Sequence, residues 1–135
     1  MSWQCPMINT VMRLSKWYLS GKDFHQAKAA MIRLADTPAA KAENPKGAIV
    51  EKTAIAGVNC EWVYDKSAEL SDAVIMYFHG GGFFAGSPAT HRDAAHRLST
   101  ATQMKTLVVD YDLTPEHVFS SALNQSVAIH QCLRT

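Results

Sequence analysis

The residue types best placed to do chemistry lie in one stretch, His79-Gly80-Gly81-Gly82-Phe83-Phe84. An apolar run, Ala73-Val74-Ile75-Met76-Tyr77-Phe78, leads into it, and Ala85-Gly86-Ser87-Pro88 comes next. The pattern is a buried strand running into three consecutive glycines, with a helix start soon after. Glycine accepts backbone angles that other residues avoid and lets a ligand approach the main chain closely. A tight loop with bare N–H groups can hold a negatively charged oxygen, of a phosphate or of a reaction intermediate.

The competing chemistries separate on neighbouring residues. A phosphate-binding P-loop needs a following Lys-Ser/Thr pair, and none is present. The dinucleotide fingerprint is met formally by Gly80, Gly82 and Ala85, because a variant ending in alanine is allowed. Two phenylalanines then sit where a pyrophosphate would lie, and no acidic residue takes the ribose role. A tight turn with no ligand is the structural alternative. An oxyanion hole is the remaining reading: loops of the HGGG type follow the third strand of α/β hydrolases, and their N–H groups stabilise a tetrahedral intermediate.

Other groups make weaker sites. His91 and His96 are five apart on an expected helix, do not share a face, and read as surface histidines. Cys132 lies near His130 by chance of sequence. Asp110 and Asp112 alternate on a strand end and could pair with Arg92 or Lys105. Cys5, Cys60 and Cys132 are an odd number at wide spacing, which forms neither a disulfide framework nor a zinc pattern, so reduced thiols are expected. No metal site and no cofactor follow from the sequence.

The elements that would position the loop can be read in order. Residues 7–20 carry Ile8, Val11, Leu14 and Tyr18 at helical spacing, stopped by Ser20-Gly21. A second helix starts at Asp23, an N-cap, with Phe24, Ala27, Met31 and Leu34 on its apolar face. Residues 36–47, with Pro38, Pro45 and Gly47, read as a linker or surface loop. A hairpin of strands 48–56 and 60–64 comes next, with Gly57-Val58-Asn59 between them. The run 73–78 shows no alternation and reads as a central strand buried on both faces. Ser87-Pro88 opens a helix as N-cap and first helical residue, running to about Gln103. Strand 106–111 completes a βαβ unit with a parallel pair and a right-handed crossover. Residues 112–119 are a loop, and Ser120 caps a last helix.

At 135 residues this is one domain's worth of chain, with 47% apolar residues and a net charge of +1. That balance gives no basic stripe for nucleic acid. No apolar run approaches the roughly 20 residues that span a bilayer. The N-terminus lacks the pattern of a signal peptide, which makes a cytoplasmic protein the default.

His79-Gly80-Gly81-Gly82-Phe83 resembles the signature of the hormone-sensitive-lipase-like branch of the α/β-hydrolase fold, the fold-3 esterases and lipases. Asp110-Tyr111-Asp112-Leu113-Thr114-Pro115-Glu116-His117 resembles the same family's D-Y-R-L-A-P-E-H segment, in the right order and separation. Asp112 stands where the family has arginine, Thr114 where it has alanine, and Ser120 where it often has proline. The resemblance implies an α/β chain carrying the N-terminal part of an α/β-hydrolase fold: a β-hairpin, then βαβ with parallel central strands, preceded by two cap-like helices. Residues 1–47 would be the N-terminal helices and linker, either a cap or packed on the body. Residues 48–135 would be a truncated hydrolase core.

By the same resemblance, Gly80, Gly81 and Gly82 form the oxyanion hole, with Gly81 and Gly82 donating N–H groups and Gly80 shaping the turn. His79 supports the loop, Phe83 and Phe84 line the acyl or alcohol pocket, and Glu116 and His117 are structural. The full protein would cleave a small-molecule ester through an acyl-serine. No G-x-S-x-G pentapeptide occurs in this chain. In the family the serine lies beyond the helix starting near Ser120, so the triad is expected outside these residues and the chain alone inactive. The nucleophile strand would lie beside 73–78, leaving an open edge that invites self-association. The alternatives are a non-catalytic protein that keeps the loop as a small-molecule or anion pocket, and a gene fragment without function.

Overall fold

The computed structural model describes residues 10, 13, 14, 16–18 and 20–134. Of the helix expected over 7–20, residues 10, 13, 14 and 16–18 are described and helical, and the rest of that stretch up to residue 19, like Cys5, lies outside the described residues. The described elements run α1 (Phe24–Met31), a five-residue π-helical turn (Ile32–Asp36), α2 (Thr37–Lys41), β1 (Ala48–Ile55), β2 (Val58–Asp65), β3 (Val74–Phe78), α3 (Pro88–Thr102), β4 (Lys105–Val109) and α4 (Ser121–Leu133).

Four strands form one sheet in the order β1-β2-β4-β3. β1 and β2 are antiparallel, β2 and β4 antiparallel, and β3 and β4 parallel, as the hairpin-then-βαβ reading requires. The hairpin turn is two residues long, Ala56-Gly57, with φ of 51° and 79°. Positive φ at both positions matches the twist of the flanking strands, so Val58 and Asn59 join β2 instead of forming the turn. β4 is the centre: Thr106, Leu107, Val108 and Val109 have 0% exposure.

The two faces of the sheet carry separate cores, as strand alternation dictates. Leu107 and Val109 meet Ile129 of α4, together with Val58, Cys60 and Tyr111. Val108 and Val63 meet Ala95 of α3 on the opposite side. Helix α3 begins with a capping box in which Ser87 and Thr90 satisfy each other's backbone, with Pro88 at its first position. Arg92 on α3 makes a paired contact with Glu61 of β2, both N···O distances 2.7 Å. Arg92 is therefore committed to Glu61, not to Asp110 or Asp112, and Lys105 lies over the Tyr64 ring at 5.1 Å.

Several expectations change. Residues 36–41 are helical, not linker, so α1, the π turn and α2 form one run from Phe24 to Lys41. Proline at position 38 has no N–H to donate within the second turn. The helix widens just upstream, where the Thr37 N–H reaches the Ile32 carbonyl. That wide turn rotates Leu34 off the face set by the preceding residues, and Leu34 is 63% exposed. Lys28 and Ala30, not the expected apolar set, are the buried residues of α1.

The last helix starts at Ser121, and Ser120, in a left-handed conformation, makes no capping bond. Strand β3 is an edge, not a strand buried on both faces: Val74 and Phe78 remain partly exposed because its outer side has no neighbour among the described residues. His91 and His96 are half-buried, not surface groups, and His96 Nε2 lies 3.5 Å from Asp65. Cys60 is a buried free thiol, and Cys132 is exposed.

An apolar open edge pairs readily with another strand. The chain on its own is therefore expected to sediment as more than a monomer, or to be poorly soluble. A monomer by analytical ultracentrifugation that also unfolds cooperatively by circular dichroism would contradict this.

Candidate functional site

β3 delivers the chain to His79, and the next eight residues fold into a compact loop. Gly81 adopts φ 132° and Gly86 φ 100°. A Cβ on Gly81 would sit 1.8 Å from the Ala85 carbonyl oxygen, and one on Gly86 would sit 2.4 Å from the Gly80 oxygen. Side chains at these two positions are therefore excluded by the fold of the loop itself. Phe83 also has positive φ, 62°, which is unfavourable for a residue with a side chain.

Four carbonyls of the loop face protein donors. The Tyr111 hydroxyl donates to the His79 carbonyl at 2.6 Å. His79 Nδ1 lies 3.0 Å from the Gly80 carbonyl. A carbonyl only accepts, so Nδ1 carries the proton of the neutral ring. The Gly81 carbonyl accepts from the N–H groups of Phe84 and Ala85, at 3.3 and 3.1 Å. The Phe83 carbonyl accepts from both Thr114 N–H, at 2.7 Å, and Thr114 Oγ1, at 3.1 Å. Those two bonds hold Phe83 in its strained conformation. Among the described residues, no protein acceptor takes the N–H groups of Gly80, Gly81 or Gly82.

His79 is 2% exposed, and its ring stacks on that of Tyr111, centroids 4.4 Å apart. Burial lowers its pKa below the ordinary imidazole value; nearby His91 pushes the same way, while Asp110 and Asp36 oppose. Its Nε2 is buried without a hydrogen-bond partner among the described residues. Burial likewise raises the Tyr111 phenol.

A cavity of about 710 Å³ opens beside the loop. Gly80, Gly81, Gly82 and Phe83 form one wall, and Val118, Phe119 and Leu123 another. Phe83 lines this cavity together with the glycines. Phe84 does not line this cavity; its ring turns onto Phe24 of α1, centroids 5.3 Å apart.

The segment after β4 braces the loop and is itself braced at both ends. Asp112 accepts a hydrogen bond from the Ser121 hydroxyl and lies 3.2 Å from His117 Nδ1. Its own N–H donates to Gln125 Oε1 at 2.8 Å. The Ser121 hydroxyl, ahead of the other contacts, holds the Asp112 carboxyl below the usual carboxylate range. At the other end Lys28 pairs with Glu116. The sequence placed Tyr111 and Thr114 in a motif without a role in bracing the loop, and gave Lys28 no role. Thr114 carried a signal: a hydroxyl in place of the family's alanine adds a donor to Phe83. Lys28 carried none, since a lysine on a helix ordinarily points to water.

A sequence profile described as the alpha/beta hydrolase fold matches residues 75–135. The chain is 38% identical over 79 residues to an esterase of Acinetobacter venetianus, covering 58% of this chain and 25% of that protein. It is 35% identical over 94 residues to the putative acetyl-hydrolase LipR of Mycobacterium tuberculosis, covering 70% of this chain and 30% of that one. It superposes on a solved esterase of the bacterial hormone-sensitive lipase family with a TM-score of 0.74 at 27% identity, over 96% of this chain and 42% of the other. The chain has the α/β-hydrolase fold over the portion these proteins share and is similar in sequence to an N-terminal portion of the fold-3 esterases. It spans less than a third of the length of these two sequence relatives.

Two measurements test this geometry. Tyr111→Phe leaves the buried His79 carbonyl without its donor, and a loss of about 1–3 kcal/mol is expected in urea unfolding; no change would mean that another donor replaces the phenol. The lowered His79 pKa sets a pH dependence. Below the ordinary imidazole value the unfolded chain binds a proton that the folded chain does not. Stability therefore falls as pH drops from about 7 to about 5, by at most about 1.4 kcal/mol per pH unit for this group. His79→Gln is expected to flatten that part of the profile, and an unchanged slope would remove His79 as its source.

Proposed function

We propose that residues 79–86 form the oxyanion hole of a carboxylic-ester hydrolase, and that this chain contributes that half of an active site. One observation carries the reading. The carbonyls of His79, Gly80, Gly81 and Phe83 are occupied by protein donors, while the N–H groups of Gly81 and Gly82 are left without protein acceptors among the described residues. The Gly81 and Gly82 N–H groups are thus open to a ligand, which suits an oxygen gaining negative charge as a nucleophile adds to an ester carbonyl.

In this reading Phe83, with Val118, Phe119 and Leu123, holds the apolar part of a small ester. Phe84 supports the loop through Phe24. His79 is a neutral brace, its Nδ1 proton committed to Gly80, and is not the general base. The nucleophile, acid and catalytic histidine come from beyond these residues. The helices up to Lys41 act as part of a cap, because α1 touches the segments on both sides of Phe83.

The chain alone is expected to hydrolyse p-nitrophenyl butyrate no faster than free imidazole does. Joined to the remaining C-terminal portion of the Acinetobacter venetianus esterase, it is expected to turn the ester over. Because a Cβ at position 81 meets the Ala85 carbonyl oxygen, Gly81→Ala in that chimera displaces the loop's N–H groups, and kcat is expected to fall by about 10²–10³ with KM little changed and the circular dichroism of the chimera preserved. An active chimera whose kcat survives Gly81→Ala would sink the oxyanion reading.

A further inference from the structure

Lys28 is buried, with 7% of its surface exposed, although it lies on the first described helix and far in sequence from the glycine loop. An ammonium removed from water needs acceptors. Here the described partners are the Thr114 carbonyl, at 2.7 Å, and the Glu116 carboxylate. Both belong to the segment after β4. Thr114 is also the residue whose N–H and hydroxyl hold the Phe83 carbonyl. One residue therefore separates the Lys28 ammonium from the strained corner of the loop. A second contact runs in parallel: Phe24, one helical turn before Lys28, packs its ring on Phe84.

We propose that Lys28 is a positioning residue for the glycine loop, which it holds at a distance through Thr114 and Glu116. A threonine clamped on one side by Lys28 and bonded on the other to Phe83 has little freedom to shift. The loop's geometry is then set from two directions. His79 and Tyr111 fix its start, and α1, acting through Lys28 and Phe24, fixes its end. The hydrogen bond from Lys28 holds the Glu116 carboxyl below the usual carboxylate range. The catalytic meaning of the proposal rests on the oxyanion reading above; the mechanical coupling does not.

The test uses amide hydrogen exchange on this chain, ¹⁵N-labelled and joined to the remaining C-terminal portion of the Acinetobacter venetianus esterase. Lys28→Met is expected to speed exchange of the Thr114 and Phe84 amides by about tenfold while leaving those of Leu107 and Val108 in β4 unchanged. Lys28→Arg, which keeps a donor in place, is expected to restore most of the protection. Glu116→Gln is a milder variant that removes half of the latch without stranding the buried ammonium's other bond, and a smaller increase is expected at the same two amides. Unchanged exchange at Thr114 in both Lys28→Met and Glu116→Gln overturns the proposal. So does a loss spread equally over the β4 amides, which is a general structural role. In the ester-hydrolysing chimera, Lys28→Met is expected to lower kcat with KM little changed. Faster loop exchange with unaltered kcat leaves the coupling standing and counts against the oxyanion reading instead.

Discussion

The carbonyl of Ala85 occupies the space that a side chain at position 81 would need. This steric fact forces the loop to close tightly on itself, and the rest of the site depends on that closure. Because the Gly81 carbonyl faces inward to the Phe84 and Ala85 amides, its peptide is turned over relative to an extended chain. Because Gly86 is equally crowded by the Gly80 oxygen, the loop's two ends are pressed together at the mouth of α3. No such loop is stable by itself: it has few apolar contacts and several strained angles. It persists because a rigid frame imposes it.

That frame is the buried strand β4 together with the segment that leads from it to α4. β4 is covered on both faces, by Ile129 of α4 and by Ala95 of α3. The strand's continuation places Tyr111 under His79 and Thr114 under Phe83. The polar contacts that shape the loop thus originate from the most rigid part of the molecule. Asp112, with a charge opposite to the family's arginine, does not disturb this. Its carboxylate turns toward Ser121 and His117 and secures the entry to α4.

Much of this was legible in the sequence. The glycine triplet, the helix start at Ser87-Pro88 and the apolar runs of β3 and β4 gave the loop, its setting and the parallel pair. These are local signals, fixed by backbone chemistry within a few residues. The hairpin turn is the pair Ala56-Gly57 and not the triplet 57–59, because strand twist, not composition, selects which pair takes positive φ. Residues 36–41 looked like a linker because Pro38 reads as a breaker, whereas a helix can widen around a missing donor. The open edge at β3 was expected from the resemblance, while the run's apolarity alone suggested a strand covered on both sides. The braces on the loop were the least legible. Tyr111, Thr114 and Lys28 act across sequence separations that no periodicity reveals, and a buried lysine contradicts the usual sorting of residue types by polarity.

The π turn at Ile32–Asp36 has a bearing on all of these contacts. Upstream of it Lys28 meets the segment after β4, and the turn's own last residue, Asp36, accepts a hydrogen bond from the Ser87 hydroxyl at 3.4 Å. An α-helix of regular pitch would not keep both contacts in phase, because one residue of the run is taken up in the wide turn. The turn thus works as a vernier between two fixed docking points. The angular phase of the whole helical run is set by a single surplus residue, and with it the alignment of a lysine, a phenylalanine pair and a helix cap that lie far apart in sequence.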